Sequence, residues 1–403
     1  MLTADWICCH LGAREHYVIP RALHHRGRLR LLITDAWVRP GSLWARMPME
    51  LVRRLSERFH PELTDAPVRP FTRSLLSHEA WWRSRDASGW QTVIARNEWF
   101  ARRASHVLRR LPAGPRPVAV FAHSYSARDV FRVAKARGWT TVLGQIDPGE
   151  EHFRVLGRLA ERHPEYGAAP EMPPDAYFRD WRDECALADR IIVNSEWSRE
   201  SLLRAGIAGD KLRVVPLAFT DVSQHDAPVR DYPQRFTADR PLRLLFVGQA
   251  SVAKGVPSLL EAIDLTADLP IALELVGHLN MTVPARFRGH PRVRWTGAVS
   301  RGDVMRHYRD SDLLVFPSHS DGFGMAQIEA QAFGLPIVAS SHCGRVVEDG
   351  VNGLLLPEVS PEAIALVLRR IAAHPEVLRH WSRGCAVAKG DLLAGVADAL
   401  QLA

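Results

Sequence analysis

The stretch that decides the fold runs from Ser311 to Pro357 and reads SDLLVFPSHSDGFGMAQIEAQAFGLPIVASSHCGRVVEDGVNGLLLP. An apolar strand, Asp312–Phe316, comes first, and a loop with glycines leads from it into a helix that we expect to begin near Met325. A second apolar run, Pro336–Ala339, follows that helix. Strand, loop, helix and strand in this order make a βαβ unit, so the sequence predicts a parallel sheet covered by helices.

The loop between this strand and helix has the features of a phosphate and hydroxyl site. Its glycines let the backbone approach a ligand closely. The first N–H groups of the helix have no intrahelical partner, and the helix dipole favours negative charge there. Asp321 lies in the loop and Glu329 eight positions later in the helix, so both carboxylates can face one ligand. We predict a diphosphate at the helix start and sugar or ribose hydroxyls at the two acids. The alternative is a turn aspartate and a solvated helix glutamate.

A second loop with similar chemistry reads GQASVAKG from Gly248 to Gly255, between the apolar strand Leu242–Val247 and the helical pattern VPSLLEAI. A P-loop is excluded because Ala253 precedes Lys254 and Gly255 follows it, where that motif requires Gly and then Ser or Thr. Lys254 is therefore either a phosphate ligand or an ordinary solvated lysine.

Short apolar runs alternate with helical patterns along most of the 403 residues, and this length predicts two α/β domains. A polar segment with two prolines, 221–240, is the expected linker between an N-terminal domain, 1–220, and a C-terminal domain, 241–385. The last segment, 386–403, is expected to be a helix that crosses back to the first domain. The other expected strands are Trp6–Cys9, Leu29–Thr34, Pro117–Ala122, Thr140–Gln145, Arg190–Asn194, Arg213–Pro216, Ile271–Val276, Arg292–Thr296 and Gly353–Leu356.

The segment 37–113 interrupts this alternation, because it is rich in Arg and holds half of the 12 tryptophans. One interpretation is an insertion whose basic, aromatic surface meets a lipid-linked or polyanionic acceptor. The other is that helices such as Met49–Phe59 and Arg96–Arg110 cover the first sheet with their tryptophans buried.

Charge and cysteine content narrow the class of protein. The chain has 52 Lys and Arg against 45 Asp and Glu, but the charges are mixed along it, and no nucleic-acid-binding module is present. Five scattered cysteines without a Cys-x-x-Cys pair predict reduced thiols in a cytoplasmic protein rather than a disulfide framework or a zinc site. Contact with the inner face of a membrane stays open as an alternative.

Both loops resemble those of one known family. The first is similar to the acid-x7-acid region of the retaining GT-B glycosyltransferases of family four, the group 1 glycosyl transferases. Members have Glu-Gly-Phe-Gly and then Glu-Ala, and this chain has Asp321–Gly324 and then Glu329-Ala330. The second resembles the family's Gly-Arg-Leu-x-x-x-Lys-Gly loop, with Gln249 in place of the Arg. The resemblance implies a GT-B fold, in which two doubly wound Rossmann-like domains face a central cleft.

The resemblance also assigns roles to individual residues. It implies that Asp321 and the Gly322–Met325 backbone hold the donor sugar, that amides at the helix start meet phosphate, and that Glu329 holds the ribose diol. In the first domain, a glycine loop faces the donor and a strand-end histidine lies near the reacting sugar, although an ordinary strand-end histidine is the alternative there. The candidate catalytic residues are His123, Asp321 and Lys254. The candidate donor-binding residues are Gly12, Gly248, Gln249, Lys254, Gly277, Val299, Asp321, Gly322, Phe323, Gly324, Met325, Ala326, Gln327 and Glu329.

The implied reaction is metal-independent glycosyl transfer with retention of configuration, from a nucleotide-diphosphate sugar to a glycan, lipid-linked or small-molecule acceptor, as in polysaccharide biosynthesis. No cofactor, metal or nucleic acid is expected to bind. Asp321 and Gln249 depart from the family pattern, which leaves open a non-catalytic GT-B binding protein in a glycan assembly. A sugar-nucleotide epimerase is the other alternative. The donor base and sugar, the acceptor, the linkage and the oligomeric state are not predicted.

Overall fold

The computed structural model describes residues 4–42, 58–83, 89–167, 171–217 and 230–385, together with Leu55, Val396, Asp398 and Leu400. Within these residues the chain forms two parallel sheets, one in each half, and helices pack on them. The α/β architecture predicted from the sequence is confirmed.

The first domain is built around one sheet. Its strands are β1 Asp5–His10, β2 Leu29–Thr34, β3 Val68–Pro70, β4 Val118–His123, β5 Thr140–Gly144, β6 Arg190–Val193 and β7 Leu212–Val214. Its helices are α1 Val18–His25, α2 Thr72–Arg83, α3 Trp90–Arg110, α4 Arg128–Ala136, α5 Glu150–Arg162, α6 Asp175–Leu187 and α7 Glu196–Arg204. The strand order is β3-β2-β1-β4-β5-β6-β7. All six residues of β4 are buried, as expected of a central strand covered on both faces.

The second domain repeats this plan. Its strands are β8 Leu242–Val247, β9 Ile271–Val276, β10 Val293–Gly297, β11 Leu313–Phe316, β12 Ile337–Ala339 and β13 Gly353–Leu355. Its helices are α8 Val256–Leu265, α9 Ala285–Arg288, α10 Arg301–Asp310, α11 Met325–Ala332, α12 Pro361–Ala373 and α13 Glu376–Gly384. The strand order is β10-β9-β8-β11-β12-β13.

Each sheet has one point where the chain changes direction across it, between β1 and β4 in the first and between β8 and β11 in the second. The connections that leave the carboxyl ends of two such strands go to opposite sides, which leaves a crevice where ligands of open α/β sheets bind. The loops after β8 and β11 are the two that the sequence singled out. The loop after β1 carries Gly12, and His123 is the last residue of β4.

Two elements of the first domain differ from the sequence interpretation. Strand β3 was not expected, because it has only three residues and little burial. Helix α3 begins at Trp90 rather than Arg96, since Gly89 precedes it at a positive φ of 65° and the Trp90 indole donates to the Glu171 carbonyl at 2.8 Å. The expected helix Met49–Phe59 lies almost wholly outside the described residues.

The segments that join or follow the domains are described in part. Residues 230–240 of the assigned linker pack on the second domain through Tyr232 and Phe236, and 221–229 lie outside the described residues. Of the C-terminal segment, Val396 and Leu400 are buried in the apolar core of the first domain beside Trp6. The five cysteines carry free thiols and are buried. Among the described residues, no helix combines the length and the apolar character needed to cross a membrane.

Candidate active site

The crevice of the second domain brings together the two loops identified from the sequence. Lys254 ends a short 3-10 turn after β8, and its ammonium group forms an ion pair with the Asp321 carboxylate in the loop after β11. Both side chains are mostly covered, with 23% and 17% of their surfaces exposed. The predicted phosphate ligand and the predicted sugar ligand are therefore direct neighbours.

Backbone packing fixes these two loops against each other. Gly255 has a φ of +70°, and a Cβ at this position would lie 1.9 Å from the Pro317 carbonyl oxygen. The His319 amide also donates to the Ala253 carbonyl at 2.8 Å. Only glycine at position 255 lets the loops approach this closely, so the position of Lys254 depends on it.

The other candidate residues near β8 line the same edge of the sheet. Gly248 and Gly277 both have a φ of +141°, and a Cβ on Gly277 would lie 1.8 Å from the Gly248 oxygen. Gln249 is exposed. Val299 is half-buried and packs on an apolar cluster that also contains Ala326.

Helix α11 begins as the sequence predicted, after Gly324 at a φ of +87°. The side chain of Gln327 is fully buried and donates to the carbonyls of Phe323 and Gly344, at 3.1 and 3.2 Å. Its backbone amide donates to the Gly324 carbonyl at 3.0 Å. Gln327 is one of the predicted donor-binding residues. Its side-chain amide and its backbone amide both donate to carbonyls of the surrounding loop, and they therefore hold that loop in shape.

Glu329 lies one turn into α11, and its carboxylate accepts a hydrogen bond of 2.7 Å from the Tyr308 hydroxyl. Tyr308 is buried on α10 and stacks on Phe333 at 5.7 Å between ring centroids. Burial and the nearby Glu329 raise the pKa of the Tyr308 hydroxyl, so it stays protonated and can donate this bond. No sequence motif marks Tyr308 as a partner of Glu329.

The crevice of the first domain places His123 beside a histidine that sequence reasoning missed. His10 ends β1 and His123 ends β4, and their rings lie 4.6 Å apart in an edge-to-face arrangement. Both are buried, and burial is the main cause that lowers the pKa of each, that of His10 to about 3. Both imidazoles are therefore neutral at physiological pH, and His123 lines a cavity of about 30 Å³.

The loop between β1 and α1 is strained. Gly12 has a φ of +90°, and its amide donates to the buried Asp35 carboxylate at 3.1 Å. Glu15, His16 and Tyr17 then follow with φ between 50° and 58°, a region that costs non-glycine residues roughly 1–2 kcal/mol each. This turn brings Glu15 to the cavity of His123, where burial raises its pKa to about 7. Strain of this size is common at functional sites.

The two crevices face each other across direct contacts. The Ser195 hydroxyl of the first domain donates to the Gly322 carbonyl of the second at 2.6 Å, and His152 Nδ1 lies 3.1 Å from Ser320 Oγ. A Cβ on Gly322 would lie 2.7 Å from the Ile146 carbonyl oxygen. Ser195 is also the N-cap of α7, so the same side chain serves both domains.

A cluster around Asp147 also escaped sequence reasoning. Its carboxylate accepts hydrogen bonds from the Tyr125 hydroxyl at 2.7 Å, from the Gln145 side-chain amide at 3.0 Å and from the Gly149 amide at 2.9 Å. The sequence Asp-Pro-Gly before α5 marks a turn and was the available signal. Burial is the main cause that lowers the pKa of His152. The nearby Asp147 raises this pKa, and Lys254 of the other domain lowers it. His152 thus lies among charged groups of both domains.

Comparison with known proteins agrees with this geometry. Residues 241–374 match the family model described as glycosyl transferases, group 1. The second domain belongs to this family. A D-inositol 3-phosphate glycosyltransferase from Xylanimonas cellulosilytica is 31% identical to this chain over 258 residues, which are 59% of this chain and 60% of that protein. A relative of the same name from Streptomyces griseus is 28% identical over 233 residues, 49% of each chain. The chain spans about half the length of several curated relatives it matches.

Solved structures extend the likeness of fold to both domains. Anabaena Alr3699/HepE, in complex with UDP and glucose, matches 99% of this chain and 98% of its own, with a TM-score of 0.61 and 15% identity. WaaG, a glycosyltransferase involved in lipopolysaccharide biosynthesis, matches 99% of both chains, with a TM-score of 0.58 and 16% identity. At such identities the likeness shows the fold, which is the GT-B fold predicted from the sequence.

Proposed function

We propose that this group 1 protein is a retaining glycosyltransferase that takes a sugar from a nucleotide-diphosphate donor without a metal ion. The observation that carries the proposal is the Lys254–Asp321 ion pair, which lies between the β8 and β11 loops and beside the start of α11. A lysine, the amides at the start of α11 and a carboxylate lie in one crevice, and they match the phosphates and the sugar hydroxyls of such a donor.

In this proposal the donor changes the partners of both charged groups. The Lys254 ammonium turns from Asp321 to the diphosphate, and the freed carboxylate accepts bonds from sugar hydroxyls. The backbone amides of Met325 and Ala326 meet the phosphate, because the backbone amide of Gln327 already donates to the Gly324 carbonyl. Positive charge and the helix dipole then stabilise the leaving diphosphate, which is the work a metal ion does in other transferases.

The acceptor is assigned to the first domain, where neutral His123 lies at the end of β4. A neutral imidazole can hydrogen-bond a sugar hydroxyl without placing a cation beside the positively charged sugar of the transition state. The departing phosphate takes the acceptor proton, and no enzymic nucleophile is needed. The named relatives act on D-inositol 3-phosphate, and the HepE structure contains UDP and glucose, so UDP sugars are the first donors to test.

The test is donor binding and transfer in matched variants. Calorimetry with UDP-glucose, GDP-mannose and ADP-glucose is expected to find one donor that binds. Lys254→Ala and Glu329→Ala are each expected to abolish transfer while the fold is retained. Lys135→Ala is the control, because Lys135 forms an ion pair with Asp189 away from the crevices. Full activity of the Lys254 and Glu329 variants would remove the site assignment. Donor binding without any transfer would favour the non-catalytic alternative. Isomerisation of the nucleotide sugar in the absence of an acceptor would favour the epimerase.

A further inference from the structure

A second concave site lies on the first domain, outside the donor crevice. It is a groove of about 910 Å³, at the upper end of the size range of ligand pockets. The chain from Arg69 to Ser74 forms one wall and α3 forms the other. We refer to it as the α3 groove.

The charge of the α3 groove is of one sign. Arg69 and Arg73 are exposed on one wall, and Arg102 and Arg103 are exposed on the other. In the described part of the chain, no acidic side chain lines the groove and none of these four guanidinium groups has an ion-pair partner. Like charges that face each other across a concave surface repel, and an anion between them relieves this repulsion.

Aromatic rings form the floor of the groove. The Arg103 guanidinium lies over the rings of Phe71 and Trp99, 5.9 and 5.8 Å from their centroids. Stacking of this kind restrains a long side chain and leaves its N–H groups available for carboxylate or phosphate oxygens. Trp99 is buried and Phe71 is half-buried under this guanidinium, so the groove offers mainly the N–H groups of a restrained Arg103 to the acidic groups of a sugar chain.

The α3 groove begins beside the loop of the first crevice. Trp37, in its lining, packs against Tyr17 of the strained loop, with 5.6 Å between the rings. Asp35, two residues before Trp37, accepts hydrogen bonds from the Gly12 amide and from Arg96 of α3. The α3 groove therefore lies close to the loop of Gly12.

From these contacts we infer that the α3 groove binds the acceptor, and that this acceptor is a glycan chain with acidic groups on more than one sugar. That the bound glycan is an acceptor rests on the proposed transferase function, whereas the binding of the glycan does not. Cations on both walls can each pair with a separate anionic group of a ligand that carries several. A concave site also favours a chain over a flat bilayer surface.

The experiment measures binding of a defined oligogalacturonate to the full chain without donor. Maltohexaose, a neutral chain, is the ligand control. We expect oligogalacturonate to bind in a salt-dependent way, maltohexaose not to bind, and Arg102→Glu/Arg103→Glu to weaken binding at least tenfold. The control Arg109→Glu/Arg110→Glu makes the same charge change on α3 outside the groove lining and is expected to weaken binding less than threefold. Arg69→Gln/Arg73→Gln tests the opposite wall and is expected to weaken binding as well.

Two outcomes would overturn the inference. Equal losses in the groove variants and in Arg109→Glu/Arg110→Glu would mean that net charge alone attracts the polyanion. Binding to phosphatidylglycerol vesicles, lost in the groove variants, without binding to oligogalacturonate would make the surface a membrane contact. Donor calorimetry on the same variants separates this result from the proposed function, because donor binding is expected to be unchanged. Once an acceptor is known, its KM should rise in the groove variants while the donor KM stays constant.

Discussion

The Ser195 hydroxyl donates a hydrogen bond of 2.6 Å to the Gly322 carbonyl, which lies in the predicted donor loop of the other domain. The same hydroxyl accepts a bond of 3.1 Å from the Ser198 amide and so caps α7. One side chain therefore caps the start of a helix in the first domain and also holds a loop of the second domain. The closed arrangement of the two crevices depends in part on this contact.

Replacing Ser195 separates these two roles. Ser195→Ala is expected to lower the free energy of unfolding by about 2 kcal/mol, about 1 for the cap and about 1 for the hydrogen bond to Gly322. Ser360 caps α12 in the same way, within one domain, and accepts from the Ala363 amide at 3.1 Å. Ser360→Ala should therefore cost only about 1 kcal/mol in the same urea titration. Equal losses in the two variants would show that the bond between the domains contributes nothing.

Gly255 allows a test of how closely the two donor loops must approach. Gly255→Ala places a methyl group 1.9 Å from the Pro317 oxygen, whereas at Gly350, with a φ of +76°, nothing lies within 4 Å of an added Cβ. Both variants carry the backbone strain of roughly 1–2 kcal/mol. Gly255→Ala should cost at least about 2 kcal/mol more through overpacking, and should weaken donor binding. Urea unfolding and calorimetry measure the two effects, and similar stabilities of the two variants would contradict the prediction.

The regular part of the fold was predictable because burial dominates it. Strands β2, β8 and β9 have the expected boundaries, Leu29–Thr34, Leu242–Val247 and Ile271–Val276, since each is an apolar run between polar residues. The closeness of Lys254 and Asp321 also follows from local rules. Each lies in a loop after one of two strands that pair in parallel, so their loops leave the same edge of the sheet.

What the sequence did not reveal depends on how distant segments meet. The contact of Ser195 with Gly322 and that of His152 with Ser320 join residues 127 and 168 positions apart, and they exist only when the two domains face each other. The strand expected from the sequence ends at Cys9, one residue before His10, whereas β1 includes His10. The pairing of His10 with His123 requires that β1 and β4 be neighbours, which strand patterns alone do not determine.

Tyr308 is expected to act through Glu329. Tyr308→Phe removes the 2.7 Å hydrogen bond to the carboxylate, so Glu329 loses its orientation and the donor KM should rise about 3- to 10-fold, which corresponds to about 1 kcal/mol for a hydrogen bond. Tyr232→Phe is a matched control, because Tyr232 is also buried in the second domain and donates to the Asp312 carbonyl at 3.4 Å. Steady-state kinetics should show an unchanged donor KM for Tyr232→Phe. A Tyr308→Phe enzyme with the KM of the parent would mean that Glu329 does not need this partner.

The buried histidine pair predicts acid sensitivity. Burial, with a smaller effect of Arg14, lowers the pKa of His10 from about 6.5 to about 3, so the folded protein binds a proton there less readily than the unfolded chain. The stabilising effect of the neutral imidazole is complete above pH 6.5 and is lost as the pH falls from 6.5 toward 3, by up to about 1.4 kcal/mol per pH unit. His10→Phe, whose ring can pack against Phe121, should flatten the loss of stability between pH 6.5 and pH 4.5 by about that slope. His380 is exposed, and His380→Phe should leave the slope as it is. If urea titrations across this range give His10→Phe the slope of the parent, then His10 takes up its proton in the folded state, and the crevice around His123 is open to water.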